Sequence, residues 1–428
     1  MRSHAPLLLA LCAGCLVDNP LYDGGTGTGT GTAASASSAS ASASGTTTSA
    51  SSSTAGSATA GTSATTSAST SATTSIPDDW WDPEWACRRR LSVQNPVPAE
   101  TFTDFPVMLR LTPQNFDYAG ADADGADLRF VADDNATLLD HEIERWSPGN
   151  PSTIWVRLPS LPPEGAAFSI YWCGQGPAPE GAGVWSGGFE AVYHLADPLD
   201  DGPEPTVRDS TGVHDGRGVG GMGPSKRVPS ARGHAFDFDG LAGDMVGDYI
   251  DLDRGPPIES DLWDAITVEA WALQRQRGEM RILCKSPSIA VSDHVFAIGL
   301  HDFAPVDRPY ARIGVDAGVG VELQAPGPVP LDVWFHVALT WSSAGTATLY
   351  LNGEPGNPLG VIGATLADHT IPPALANIND LGVDPRFWIG QLDEVRIHRV
   401  ARSHAWIKAQ IAAMSDLVVD YGAADEKL

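Results

Sequence analysis

Apolar and polar residues alternate with period two in short runs along most of the chain after residue 80. In the first stretch these are 90–94 (RLSVQ), 105–111 (FPVMLRL), 127–131 (DLRFV), 153–158 (TIWVRL) and 168–172 (FSIYW). Successive side chains of a strand point to opposite faces, so each run buries one face. Pro, Gly, Asn or Asp bounds each run, and regularly spaced strands of this kind predict a β-sandwich. A second series follows at 235–240, 248–252, 266–272, 295–298, 334–341, 347–351, 387–390 and 392–398. Asn352-Gly353 after a strand predicts a tight hairpin. Residues 403–414 predict one short helix, capped by Ser403. The expected fold class is all-β: two sandwich modules, at 77–192 and 193–424.

The first 76 residues carry none of this pattern. Met1 to Cys15 has a short positive start at Arg2 and His4, then the apolar run 7–11. That run is too short to span a bilayer and reads as a secretion signal. It ends in Cys12-Ala13-Gly14-Cys15. As a CxxC redox pair it would need a thioredoxin-like βαβ context, and none follows. Ala13-Gly14 before Cys15 resembles the lipobox of bacterial lipoproteins, although Cys12 stands where Leu is usual. An ordinary signal peptide cut nearby is the alternative. The lipobox reading makes 1–15 a signal with lipidated Cys15, and acyl chains there would anchor the protein to a membrane. Leu16, rather than Asp, after Cys15 suits an outer-membrane or cell-surface location. Residues 16–76 read as a tether, because 24–75 are almost wholly Gly, Thr, Ala and Ser. Such a segment cannot offset its ordering entropy and predicts a flexible coil spanning roughly 40 Å.

Charge narrows the partners. The formal net charge is -27, which repels phosphate backbones and argues against nucleic acid. It also suits divalent cations, or simply the solubility of an extracellular protein.

The order of motifs within each module points to families. Trp85…Arg89-Arg90-Leu91, Asp104-Phe105-Pro106-Val107, Gly125-Ala126-Asp127-Leu128-Arg129-Phe130, Glu142-Ile143-Glu144…Trp146, Ile154-Trp155-Val156 and Ile170-Tyr171-Trp172 resemble a bacterial domain of unknown function, family 2341. Tyr193-His194-Leu195, Asp209-Ser210-Thr211-Gly212, Phe238-Asp239-Gly240, Val268-Glu269-Ala270-Trp271, Trp334-Phe335-His336-Val337-Ala338, Tyr350-Leu351-Asn352-Gly353 and Gly390-Gln391-Leu392-Asp393-Glu394-Val395-Arg396-Ile397 resemble the laminin-G-like, concanavalin A-like lectins. The second resemblance implies a jelly roll with a curved concave sheet and one structural calcium at its edge. Asp209 and Asp393, with the carbonyls of Gly212 and His214, are the ligands it implies. The alternative is that Asp209 caps a turn and Asp393 sits in an ion pair. Asp122-Ala123-Asp124-Gly125-Ala126-Asp127 lacks the twelfth-position Glu of an EF-hand and reads as an ordinary turn. Cys87 and Cys173 both depart from the first family's pattern and lie on its first and a late strand. In an exported chain they are expected to pair. Cys284 is then left over, as a small buried hydrophobe.

No catalytic pattern stands out. There is no Gly-x-Ser-x-Gly, His-Glu-x-x-His or P-loop. Asp393 and Glu394 are adjacent, so on a regular strand they face opposite ways. His194, His234, His294 and His336 read as sheet-face or edge residues. Among the tryptophans, Trp271, Trp341 and Trp388 fall at core strand positions, and Trp80, Trp81 and Trp85 are placed to pin the tether to the first module. Trp185 and Trp263 lie near loops and are the candidate sugar platforms. The expectation is a non-catalytic envelope protein binding glycan or extracellular matrix ligands. The alternatives are a surface-protein interaction module, or a glycan hydrolase or lyase with an unrecognised site.

Overall fold

The computed structural model describes residues 77–176, 181–240, 247–303, 306–316, 318–367, 369–378, 386–422 and 425–428. Cys15, expected to be lipidated, and the expected tether at 16–76 lie outside the described residues. All described residues belong to one compact unit, 72–428. No helix among them is long and apolar enough to cross a membrane.

Four sheets carry the fold. In the first module, strand Cys87–Val93 lies between Ala166–Trp172 and two short C-terminal strands, Val419–Asp420 and Glu426–Lys427; Arg129–Ala132 and Leu138–Leu139 extend the far side. A second sheet orders Phe102–Leu111, Ser152–Leu161 and His141–Arg145. Cys87 and Cys173 are disulfide-bonded, at the end where Cys87 pairs with Trp172. Trp80 and Trp85 are buried on this module, where Trp85 Nε1 donates to the Asp127 carbonyl at 2.7 Å.

The second module is a jelly roll of two large sheets. One orders Arg227–Ser230, Gly233–Asp239, Ile389–His398, Ala265–Gln274, Trp334–Ser342 and Thr346–Leu351, with Phe189–Tyr193 also pairing to Ile389–His398. The other orders Val319–Gln324, Val306–Val315, Phe296–Phe303, Met280–Lys285, Ala374–Leu375, Tyr249–Asp251, Gly216–Val219 and Thr206–Val207. Val268, Ala270 and Ala272 of the first large sheet meet Phe296, Ile298 and Ile313 of the second in one core.

The alternation then explains how the modules join. Opposite Val268 and Ala270, the odd positions Glu269 and Trp271 face away from that core. Trp271, Ala338 and Tyr350 instead pack with Phe105, Trp155 and Ile407 in the first module's core. The three-stranded sheet is therefore covered on both faces, which is why Ser152–Leu161 opens with five buried residues in a row.

The boundaries expected at 192/193 and 424 shift. Phe189–Tyr193 pairs with Ile389–His398 and so belongs to the jelly roll. The expected helix forms at His404–Ala413, with Ser403 Oγ accepting from Trp406 N at 3.0 Å. Its Trp406 and Ile407 lie in the first module's core, and the chain then returns to pair with Cys87–Val93. The C-terminal segment thus completes the first module. Its burial of Trp406, Ile407 and Met414 stabilises the molecule by about 1.5–3 kcal/mol per large side chain.

Candidate functional site

The outer face of the eight-stranded sheet carries a polar patch, beside which Ile378 packs on Cys284 and Ala297. Register brings Arg281, Gly299, Tyr310 and Gln324 into one row across four strands, and Cys284, Ala297, Arg312 and Glu322 into the next. Gly299 has to be glycine. A Cβ there would lie 2.2 Å from the Met280 carbonyl and 3.2 Å from the Tyr310 ring. The guanidinium carbons of Arg281 and Arg312 stand 5.0 and 5.1 Å from the Tyr310 centroid, and His301 stacks on that ring at 4.0 Å.

Two carboxylates bind these cations together. Glu279 accepts from Arg281 at 3.2 Å and lies 3.5 Å from Arg386 Nε. Glu322 pairs with Arg312 Nε at 2.9 Å and His301 Nε2 at 3.0 Å. Partial burial works to raise both carboxyls. Arg281 and Arg386 nevertheless hold Glu279 below the usual range, and His301 and Arg312 do the same for Glu322. The Tyr310 hydroxyl is buried without a hydrogen-bond partner among the described residues, and burial pushes its phenol well up. Beside the patch Cys284 is fully buried, which pushes its thiol up to about 11. It behaves as the small hydrophobe expected.

A second polar cluster lies between the modules. Glu142 and Glu144 come from the strand His141–Arg145, His194 follows the strand Phe189–Tyr193, and Glu394 lies within Ile389–His398. His194 Nδ1 is 2.8 Å from Glu394 Oε1 and 3.8 Å from Glu144 Oε2, while its Nε2 is 3.5 Å from Glu142 Oε2. Trp155 Nε1 donates to Glu144 at 2.9 Å, Arg396 donates to Glu394 at 2.5 Å, and Ser210 Oγ and Trp185 Nε1 donate to Glu142 at 2.8 and 2.5 Å. Burial pushes Glu144 up to about 8. Against burial, the Glu394 and Glu144 carboxylates hold His194 well above its ordinary value. Glu144, His194 and Glu394 form the one described group of metal-ligating atoms within 4.8 Å of one another.

This cluster bears on two expectations. His194, read as a sheet-face or edge residue, has three carboxylates around its ring. Asp393 and Glu394 do not obey strand alternation: Glu394 has φ +51°, and the facing ladder slips between Glu269 and Trp271. A bulge of this kind re-aims a side chain.

The other predicted site residues are placed as follows. The Asp209 carboxylate accepts from the amides of Val192 (2.8 Å), Thr211 (3.0 Å), Val213 (3.3 Å) and His214 (2.9 Å), and from the Thr211 hydroxyl. Asp393 accepts instead from Ser230 Oγ at 2.8 Å and Arg232 Nε at 3.0 Å. Among the described residues the two carboxylates, expected with Gly212 and His214 to hold calcium, share no hydrogen-bond partner. Asp209 closes its own turn, with Gly212 N bonded to the Asp209 carbonyl at 2.8 Å. His214 pairs with the Pro256 carbonyl at 2.7 Å and with Glu190 at 3.2 Å. Trp185 and Trp263 are 2% and 3% exposed, so neither is a sugar platform. Trp185 packs on Trp155 and Phe189 between the modules, and Trp263 lies in the jelly-roll core.

Residues 244–408 match the profile of the concanavalin A-like lectin/glucanases superfamily, and residues 124–186 match domain of unknown function 2341, in the expected order. Among solved structures, the chain is similar to the binding domain of Paraclostridial Mosquitocidal Protein 1, at 12% identity and TM-score 0.38, over 52% of each chain. The chain thus spans about half the length of that structure. It is also similar to domain 4 of AbnA, an extracellular arabinanase of Geobacillus stearothermophilus solved with arabinotriose, at 18% identity and TM-score 0.37, over 52% of this chain and 98% of that one. A third likeness is to a SAP-like pentraxin of Limulus polyphemus, at 15% identity and TM-score 0.33, over 47% and 97%. No curated protein sequence matches.

Proposed function

We propose that the jelly roll is a non-catalytic glycan-binding module, displayed at the cell envelope by a chain anchored through Cys15. The supporting observation is the patch on the eight-stranded sheet. There the Glu279 and Glu322 acceptors pair with Arg312, Arg386 and His301 donors. Sugar hydroxyls both donate and accept, and recessed polar groups of both kinds suit them. The match to lectin-type sequence supports the same reading. At this patch the carboxylate chemistry favours binding over cleavage. Glycoside hydrolysis needs one carboxyl that keeps its proton beside one that is ionised, whereas the neighbouring cations keep both Glu279 and Glu322 ionised.

A glycan array probed with the purified chain tests this reading. Hits are expected to disappear in His301→Ala and Glu322→Ala, with the melting temperature retained. No hits, or hits indifferent to both variants, would favour a protein partner. The disulfide suits an oxidising compartment and so supports export. Cys15→Ala is expected to move the protein from the membrane fraction to the soluble one, and unchanged fractionation would remove the anchor.

A further inference from the structure

The cluster between the modules has the composition and spacing of a metal centre. We propose that Glu144, His194 and Glu394 bind one divalent ion of the zinc class, shared between the first module and the jelly roll.

First, donor type. One imidazole nitrogen and two carboxylate oxygens suit zinc, whereas calcium takes oxygen ligands. Second, spacing. Ligand atoms about 2.0–2.1 Å from a tetrahedral ion lie about 3.3 Å apart. The separations from His194 Nδ1 to Glu394 and Glu144 are 2.8 and 3.8 Å, and they bracket that value. Third, orientation. A ligating histidine commonly gives its other ring N–H to a carboxylate. Glu142 occupies that place on Nε2 at 3.5 Å, and Ser210 and Trp185 fix Glu142 in turn. Trp155 and Arg396 likewise orient the two ligating carboxylates through bonds to Glu144 and to the second oxygen of Glu394. Fourth, access and rigidity. The His194 and Glu394 side chains are 7% and 1% exposed, while Glu142 at 20% opens the cluster to solvent. Ligands bind metal deprotonated, so binding releases to solvent whatever protons His194 Nδ1 and the Glu144 carboxyl carry.

The ligands come from both sides of the module interface, so the ion would act as a clamp. It does not depend on the glycan reading, whose patch lies on the other large sheet.

The test titrates the full chain, stripped by chelator, with Zn2+ by calorimetry and with Co2+ by visible absorption. The expected result is one ion per chain, with release of protons and a Co2+ d–d band. His194→Ala and Glu144→Gln should abolish both signals. Glu142→Gln acts only by positioning His194 and should weaken binding about 10–100-fold while leaving the circular dichroism unchanged. Absence of a stoichiometric site, or a site indifferent to folded Glu142→Gln and Glu144→Gln, would overturn the proposal and leave a purely ionic contact. Glycan binding should persist in all three variants, so failure of one reading does not imply failure of the other.

Discussion

Replacing Cys87 and Cys173 together by alanine is expected to cost the first module several kcal/mol. The bond closes a loop with a sequence separation of 86 residues. In the chain-entropy model, closing a loop of that length removes about 15 cal/mol/K from the unfolded chain, or about 4.6 kcal/mol at 25 °C. The native state has little need of the link to hold its shape. Cys87–Val93 and Ala166–Trp172 pair along seven residues, and Cys87 itself is buried. The effect therefore acts through the unfolded ensemble. Two observables follow in urea denaturation followed by tryptophan fluorescence: a lower midpoint and a steeper m-value, because the unlinked chain exposes more surface. Reducing the wild-type protein should reproduce both. A loss below about 1 kcal/mol with an unchanged m-value would refute the reasoning, since it would mean that the unlinked chain already keeps these ends together.

Three further outcomes are expected. Ile407→Ala removes a fully buried side chain from the first module's core and should cost about 2–5 kcal/mol by thermal denaturation; a loss under 0.5 kcal/mol would show that the C-terminal helix contributes little. Gly299→Ala drives a Cβ to 2.2 Å from the Met280 carbonyl, so it should destabilise by about 1–3 kcal/mol and abolish array binding; a stable variant with intact binding would remove Gly299 from the patch. Asp416→Asn concerns a carboxyl that burial pushes up to about 6. Its native pKa exceeds the unfolded value of about 3.9. The ionised form therefore costs stability above pH 6, less between 6 and 4, and nothing below 4. Asparagine tolerates the φ of +54° at this position. The variant should be more stable at pH 8 and indistinguishable at pH 4 by urea midpoint, and equal differences at both would contradict the assignment.

Much of the fold was legible because its signals are local. Runs such as 266–272 alternate so regularly that their buried face follows directly, and Val268 and Ala270 lie where that face predicts. Ser403 announced the helix by its own side chain. The pairing of Cys87 with Cys173 followed from their shared module. What failed depended on distant sequence. Nothing near Trp185 says that a second module covers it, so a loop tryptophan read as an exposed platform. The Glu394 bulge is a backbone event, and period-two reasoning assumes that it does not occur. Asp209 was legible as a turn former or an ion ligand, and its five hydrogen bonds show the turn it forms. The His194 cluster had one faint trace: the pair Glu142-x-Glu144 places two carboxylates on one face of a strand, but their partner lies 50 residues or more away in sequence.

The disulfide also decides where tension would travel if the chain were held by its N-terminus while the jelly roll gripped a ligand. Force entering before Trp80 reaches Cys87 and crosses the sulfur bridge to Cys173. It then follows the chain into Phe189–Tyr193, and so into the largest sheet through Ile389–His398. Residues 88–172 form a closed bypass outside that path. The first module would then feel little of the pull, and drag on a bound surface would be met by the jelly roll. Reduction would place all of those residues in line and lengthen the molecule under the same pull.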